Sequence, residues 1–383
     1  MAVYKIFPEK DSTIYTAYPA MNTGRDEILE IANLNPNDVP NASEDVRRAL
    51  VKFSTSDIAS VINDTFTAAA RVSQSYSASL RLFTADATAI PLDYNIEAYP
   101  ISESYSMGTG KFLDSPQVTD GVSWTYRTNS GSGAWITSGY SQWTTASFST
   151  ATGGGVWYTG SSVFSNIETT QSFVYNDDTD VNIDVTDAIK SFYTASLGAP
   201  TSSGAITNEG FILKLPDSVE YSSTYMGLKF FSLDTHTIYP PCLELKWDDT
   251  VYSTGSMSTI SQTPFVITFK ANQPEYTQGS IQRFRLNVRP QFPTRTFQTS
   301  SVYLNNTYLP EESFYQIRDL DTGEIIIDFD TTFTKISADS TSSYFDVFMN
   351  GLQPERYYNV YIKTTIDGST FVLNEGLTFK VSL

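Results

Sequence analysis

The sequence predicts an all-β protein built as two successive β-sandwiches. Three observations predict it. Only 17% of the 383 residues are charged while aromatic residues reach 14%, and β-branched and aromatic residues with frequent turn formers favour pleated, half-buried strands over helices. Short apolar runs recur with a period of two, separated by Gly, Pro, Asn and Asp. A Ser/Thr-rich stretch, Thr250 to Pro264, has no apolar period and divides the chain. The expected domains are residues 1–252 and 256–383.

The first part opens with a loose strand over Ala2–Phe7 and a β-type run at Thr13-Ile14-Tyr15. Asn22 and Gly24 suit a turn with positive φ, and Ile28–Ile31 is the next strand. Arg47–Phe53 alternates, with Ala49, Val51 and Phe53 on one side and Arg48, Leu50 and Lys52 on the other. Ser77–Phe83 and Asp93–Pro100 repeat the pattern at sheet-like spacing, as in a sandwich or jelly roll. At Val181–Tyr193 the period changes: a strand leads to Thr186, expected to cap a short helix that carries Ala188, Ile189, Phe192 and Tyr193 on one face. Phe211–Leu215 is a strand. Gly227–Asp249, with Pro240-Pro241 inside it, reads as a closing hairpin or strand pair.

Residues 121–166 differ from their surroundings. Arg127 is their only ionisable charge, and they hold Trp124, Trp135, Trp143 and Trp157 with Tyr126, Tyr140, Phe148 and Tyr158, set in Ser, Thr and Gly. Gly153-Gly154-Gly155 stands near the end. This composition predicts an insert of long loops or a hairpin.

After the Ser/Thr-rich stretch, strands are predicted at 265–270, 282–288, 301–304, 314–318, 324–329, 344–349, 357–365 and 371–381. Asp321-Thr322-Gly323 and Ile366-Asp367-Gly368-Ser369 are hairpin turns. So many strands in so short a segment indicate an immunoglobulin- or fibronectin-III-like sandwich. Leu352, Pro354 and a Tyr at 357 or 358 resemble the tyrosine corner that leads into strand F of such domains.

Charge and chemistry narrow the function. Lys plus Arg is 24 and Asp plus Glu is 42, a formal net charge of −18. The first 249 residues carry 14 basic against 29 acidic residues, a balance of −15. Such a surface argues against nucleic-acid binding, which needs cations against phosphate. No apolar run approaches the ~20 residues of a membrane helix, and the opening MAVYKIFPEKD lacks an export signal, so a soluble protein made without export is expected. The single cysteine, Cys242, permits no intrachain disulfide and is expected in the core. His236 is the only histidine. No nucleophile elbow, dinucleotide fingerprint or phosphate loop is present, and no enzymatic activity is expected.

In order along the chain, several motifs resemble the DNRLRE-type jelly-roll family: Asp11–Tyr15, Asn22–Gly24, Ile28–Ile31, Arg48–Phe53, Ala78–Leu82, Asp184–Thr186, Phe230–Ser232 and Pro241–Leu245. That family usually carries a basic residue and Glu after its F-x-S; here Leu233 and Asp234 stand there. DGVSWTYR, GGGVWYT and FFSLDTHTIYPPCLELKWDD further resemble virion structural proteins of tailed bacteriophages, marine T4-like myoviruses in particular. The resemblance implies a jelly roll in a tail, neck or fibre component located in the virion, with other virion proteins as partners and several copies on the particle.

The aromatic insert has three readings: a satellite core beneath a long loop, a subunit interface, or a sugar-stacking surface that would serve attachment to host glycans. Its candidates are Trp124, Tyr126, Trp135, Tyr140, Trp143, Trp157 and Tyr158. No organic cofactor is expected. Asp177, Asp178 and Asp180 offer hard oxygen ligands at close spacing, so a structural Ca²⁺ stands beside the reading of a solvated acidic loop. A glycan-degrading pair of carboxylates is the remaining alternative.

Overall fold

The computed structural model describes residues 2–38, 42–66, 76–129, 140–142, 153–158, 167–197, 205–255, 258–261, 263–292 and 307–383. The expected strand at 301–304 and the candidates Trp135 and Trp143 lie outside the described residues. The chain is an all-β protein and divides into two compact units: Ile6–Glu244, and Leu245–Leu383 together with Met1–Lys5. No helix among the described residues is long and apolar enough to cross a membrane.

The strands up to the division are β1 (Ala2–Ile6), β2 (Pro8–Tyr15), β3 (Ile28–Leu34), β4 (Asp45–Phe53), β5 (Tyr76–Leu82), β6 (Thr84–Thr88), β7 (Tyr94–Pro100), β8 (Tyr126–Asn129), β9 (Tyr140–Gln142), β10 (Thr169–Phe173), β11 (Val181–Asp184), β12 (Phe211–Lys214), β13 (Met226–Phe231) and β14 (Cys242–Trp247). Helix α1 (Thr55–Thr65) follows β4, α2 (Thr186–Ser196) follows β11 and α3 (Asp217–Glu220) follows β12.

In the first unit the large sheet runs β10-β7-β12-β4-β3-β13-β6, with β2 also on β4. The second sheet places β14 beside β5 and β5 beside β11. Connections cross between the sheets, as in jelly rolls: β4 leads through α1 to β5, β5 runs on into β6, and β11 leads through α2 to β12. Ala78, Leu80 and Leu82 alternate into the core as their spacing predicts. Helix α2 buries Ala188, Ile189, Phe192 and Tyr193, and the Phe192 ring meets Phe211 at 5.4 Å.

Three local expectations change. Val185, not Thr186, occupies the N-cap of α2, without a side-chain cap. The Thr186 hydroxyl instead accepts from the Ala78 N–H at 2.9 Å, tying the helix start to β5. Strands β13 and β14 lie in different sheets, so the Pro-Pro segment is a crossing between sheets and not a hairpin turn. Strand β4 is buried almost throughout despite its alternation, because both faces of the sheet are covered there. Cys242 is buried, as expected.

The second unit contains β15 (Phe265–Lys270), β16 (Glu275–Thr277), β17 (Ile281–Pro290), β18 (Ser313–Asp319), β19 (Ile325–Ile327), β20 (Ser337–Ala338), β21 (Ser343–Phe348), β22 (Arg356–Ile366) and β23 (Ser369–Ser382). One sheet runs β15-β17-β21-β20 and the other β16-β23-β22-β18-β19, with β16 parallel to β23. Read as strands A to G this is A-B-E-D against A′-G-F-C-C′, the immunoglobulin arrangement. Inward residues of both sheets form one core in which Tyr315 stacks on Phe345 at 4.4 Å and Phe284 meets Phe379 at 4.9 Å. The predicted turn at Asp367-Gly368 has positive φ at both residues, 53° and 75°, as a two-residue hairpin requires. Tyr358, not Tyr357, is the corner tyrosine, and its hydroxyl donates to the Gln353 carbonyl at 2.9 Å.

The described parts of the segment expected as a linker are built into this unit. Ile260 is a core residue, its N–H donates to the Tyr308 carbonyl at 2.7 Å, and the Tyr252 hydroxyl donates to the Leu309 carbonyl at 2.7 Å.

Candidate functional site: the anchored aromatic insert

Strand β4 carries Arg48 into the first unit beneath the insert. A buried guanidinium is tolerable only when its charge and its N–H groups are matched. Here Nε and Nη2 donate to the two oxygens of Glu220 at 3.0 and 2.7 Å. Nη1 donates to the Gly154 carbonyl at 2.6 Å, and Nη2 reaches the Tyr221 hydroxyl at 3.3 Å. The two charged side chains are 2% and 0% exposed. Burial alone would lower the Arg48 pKa, but the Glu220 carboxylate outweighs it and holds the group above its ordinary value.

Two tryptophans of the insert complete the cage. The guanidinium carbon lies 4.7 Å from the Trp124 ring centre and 5.2 Å from that of Trp157, within cation–π range. Lys214 on β12 extends the network. Its buried ammonium donates to Asp217 at 2.8 Å and to the Leu215 carbonyl at 2.7 Å, and it lies 3.5 Å from both Glu220 and Glu97. Glu97 also accepts from the Tyr99 hydroxyl at 3.0 Å, and the Tyr99 ring rests 5.8 Å from Trp157.

The glycine triplet makes the approach feasible. Gly153, Gly154 and Gly155 all have positive φ, 119°, 83° and 95°, which L side chains rarely adopt. A Cβ at Gly154 would lie 2.6 Å from Nη1 of Arg48 and 2.8 Å from the Trp124 ring. The Gly154 N–H donates to the Trp124 carbonyl at 2.7 Å, so two stretches of the insert 30 residues apart meet at this point.

Around this point the insert joins the end of β7. Trp157 bridges Ile101, Tyr158 N–H donates to the Pro100 carbonyl at 2.9 Å, and Ser102 N–H donates to the Val156 carbonyl at 3.0 Å. Trp157, Val156 and Val122 share a core cluster with Ile14, Leu50, Ile101, Tyr105 and Ile212, with Trp124 packed against it. Arg127, the one charge of the insert, pairs with Glu103 at 3.3 Å. Beyond the base, Tyr126 and Tyr140 lie on the paired strands β8 and β9.

Of the seven aromatic candidates, Trp124 and Trp157 thus converge on Arg48. Tyr126 and Tyr158 are half-buried beside them, and burial raises the Tyr158 pKa, with Glu209 adding to it. At the described base, Trp157 belongs to a core cluster and Trp124 packs against it. Arg48, Glu220 and Lys214 were not singled out in the sequence as site residues. The signal for Arg48 was its place inside an apolar strand; Glu220 sits in an ordinary polar segment.

The three acidic candidates do not converge. Asp177 accepts from Val174 N–H at 2.9 Å, Asp178 from Asp180 N–H at 3.3 Å, and Asp180 from Thr84 N–H at 2.7 Å. They cap turns and fasten the loop to β6. Burial raises the Asp180 pKa, partly offset by the Thr84 N–H. Among the described residues no group of three or more His, Cys, Asp or Glu is placed to hold a metal ion.

No protein-family profile matches the chain, and no curated protein matches it. Among solved structures, similarity is recorded to a DUF4785 family protein of Legionella pneumophila at 8% identity and a TM-score of 0.15, and to the β-glucuronidase of Parabacteroides merdae at 9% identity and 0.16. The alignments cover 100% and 98% of this chain but only 62% and 35% of those proteins. At such TM-scores neither likeness carries an argument about fold or function.

Proposed function

We propose that this chain is a non-enzymatic structural component of a tailed-phage particle, in the tail, neck or fibre apparatus, and that it acts by protein–protein contacts in a multi-copy assembly. The sequence resemblance to jelly-roll virion proteins motivates the assignment. One observation supports a binding role for the insert: two of its segments, at Trp124 and at Gly154 and Trp157, are held on the same buried guanidinium. Anchoring of both segments on one buried residue is the kind of preorganisation that a binding loop needs. The segment itself is aromatic and nearly uncharged, the composition of interface cores.

A reconstruction of purified particles from cells that produce the chain tests this. The expected result is density for the chain in several copies, with Trp135 and Trp143 against neighbouring subunits. Absence of the chain from the particles refutes the assignment. Glycan-array binding lost in Trp135→Ala or Trp143→Ala would replace it with a carbohydrate-attachment role, and turnover abolished by one carboxylate substitution would replace it with an enzyme.

A further inference from the structure

The second unit contains a seat for a short strand that is remote from it in sequence. Ala2–Lys5 belongs to this unit, although the whole of Ile6–Glu244 intervenes before Leu245. Each residue from Val3 to Lys5 has its own place. Val3 is a member of the unit's core cluster. The Tyr4 ring stands edge-on to Phe348 at 5.4 Å, and Trp247 meets the same ring at 5.5 Å. The Lys5 ammonium donates to the Ile326 carbonyl at 3.0 Å, and the Asn350 amide donates to the Lys5 carbonyl at 2.7 Å. The Lys5 stem lies against Gly351, where a Cβ would come within 3.1–3.3 Å of its carbons. In backbone terms β1 lies beside β14.

We propose that this seat is a strand-acceptor groove, and that it takes Ala2–Lys5 from a second copy of the chain as well as from its own. The groove reads an apolar–aromatic–Lys pattern, and a second copy supplies the same pattern with every contact preserved. Exchange of an identical element is a low-cost route to oligomers, since only association entropy is added. The connection suits exchange: β1 ends at Ile6 and β2 starts at Pro8, leaving Phe7 alone between strands of different sheets. A short hinge invites swapping, and Pro8 restricts the backbone there. The inference goes beyond the virion assignment, rests on contacts within the second unit, and is tested on purified protein, so either can fail without the other.

The test uses two full-length chains, one with Lys5→Cys and one with Gly351→Cys, unfolded together, refolded at high concentration and oxidised. The 3.2 Å between the Lys5 Cβ and a Cβ built at Gly351 is close to the ~3.5–4.5 Å of a disulfide, and the double variant in one chain controls for this geometry. The expected result is a mixed, reductant-sensitive dimer whose yield rises with concentration and falls several-fold when Val3→Asp is added to the Lys5→Cys chain. As a second measurement, a labelled peptide of residues 2–7 should bind saturably to the full-length Val3→Asp chain, whose own segment no longer fits. The proposal is overturned if the double variant closes while mixed chains stay monomeric, if Val3→Asp leaves the dimer yield unchanged, or if the peptide does not bind.

Discussion

Arg48 and Glu220 stand 172 residues apart in the chain and share two hydrogen bonds, 3.0 and 2.7 Å long, beneath the aromatic insert. The pair joins β4 to the short helix α3, and the remaining Nη1 group reaches the insert backbone at Gly154. One guanidinium therefore connects sheet, helix and insert.

Arg48→Met should lower the stability of the first unit by about 3 kcal/mol or more, because it leaves a buried carboxylate without its main partner. Lys214, 3.5 Å from Glu220, keeps part of the compensation. Arg48→Met with Glu220→Met should be less damaging than Arg48→Met alone, since apolar pairs of similar volume replace buried ion pairs at little loss. Urea unfolding followed by tryptophan emission measures both, and equal or greater loss in the double variant would contradict this account.

Gly154→Ala tests the close approach. The new methyl would meet both Arg48 and the Trp124 ring, at a backbone φ of 83°. A cost of about 1–3 kcal/mol is expected from backbone strain alone. Gly255→Ala shares a positive φ but meets nothing within 4 Å, so it should cost less. Comparable losses at the two positions would mean that φ and not contact dominates.

These two tests also mark where the sequence was legible. Several strands of the second unit were readable from their alternation and from the Asp367-Gly368 turn between β22 and β23; Phe265–Lys270 was placed to the residue, while the short strands β16 and β20 carry no such pattern. The insert was readable as an anomaly, from its tryptophans and its lack of charge. What it docks on was not. Arg48 looks like the polar member of an alternating strand, and only the fold shows that its face is covered. Its partner Glu220 lies in Asp-Ser-Val-Glu, where nothing local distinguishes a buried carboxylate from a solvated one. The same limit applies to Ala2–Lys5, whose period-two pattern announces a strand but not the unit that receives it.

Asp11 gives the first unit a pH dependence. Burial drives its carboxyl up to about 7, partly offset by the Leu233 N–H, which donates to it at 2.5 Å; Asp234 and Asp26 push it further up and Arg25 opposes them. In the unfolded chain the group ionises at its ordinary value of 3.8. Between about pH 4 and 7 the folded chain therefore binds a proton that the unfolded chain has released. Stability from this group is full below that window and declines as pH rises through it. Asp11→Asn keeps an acceptor for Leu233 and removes the titration. Its melting temperature should exceed that of the parent at pH 8, and the gap should shrink towards pH 5. A gap that widens on acidification would reverse the assignment.

Tyr358→Phe isolates the corner of the second unit. The ring stays in the core against Phe379, 5.7 Å away, so the change removes one hydroxyl and leaves the Gln353 carbonyl without that donor. A loss of about 1–1.5 kcal/mol is expected for a hydrogen bond of this kind. Tyr357→Phe is the paired control, because Tyr357 is exposed on the adjacent position of β22 and should change stability by less than about 0.5 kcal/mol. Denaturant unfolding should show the midpoint of the second unit shifted in Tyr358→Phe with an unchanged slope, since no extra surface is exposed. An equal shift from both substitutions would show that the hydroxyl bond to Gln353 is not what fixes the start of strand β22.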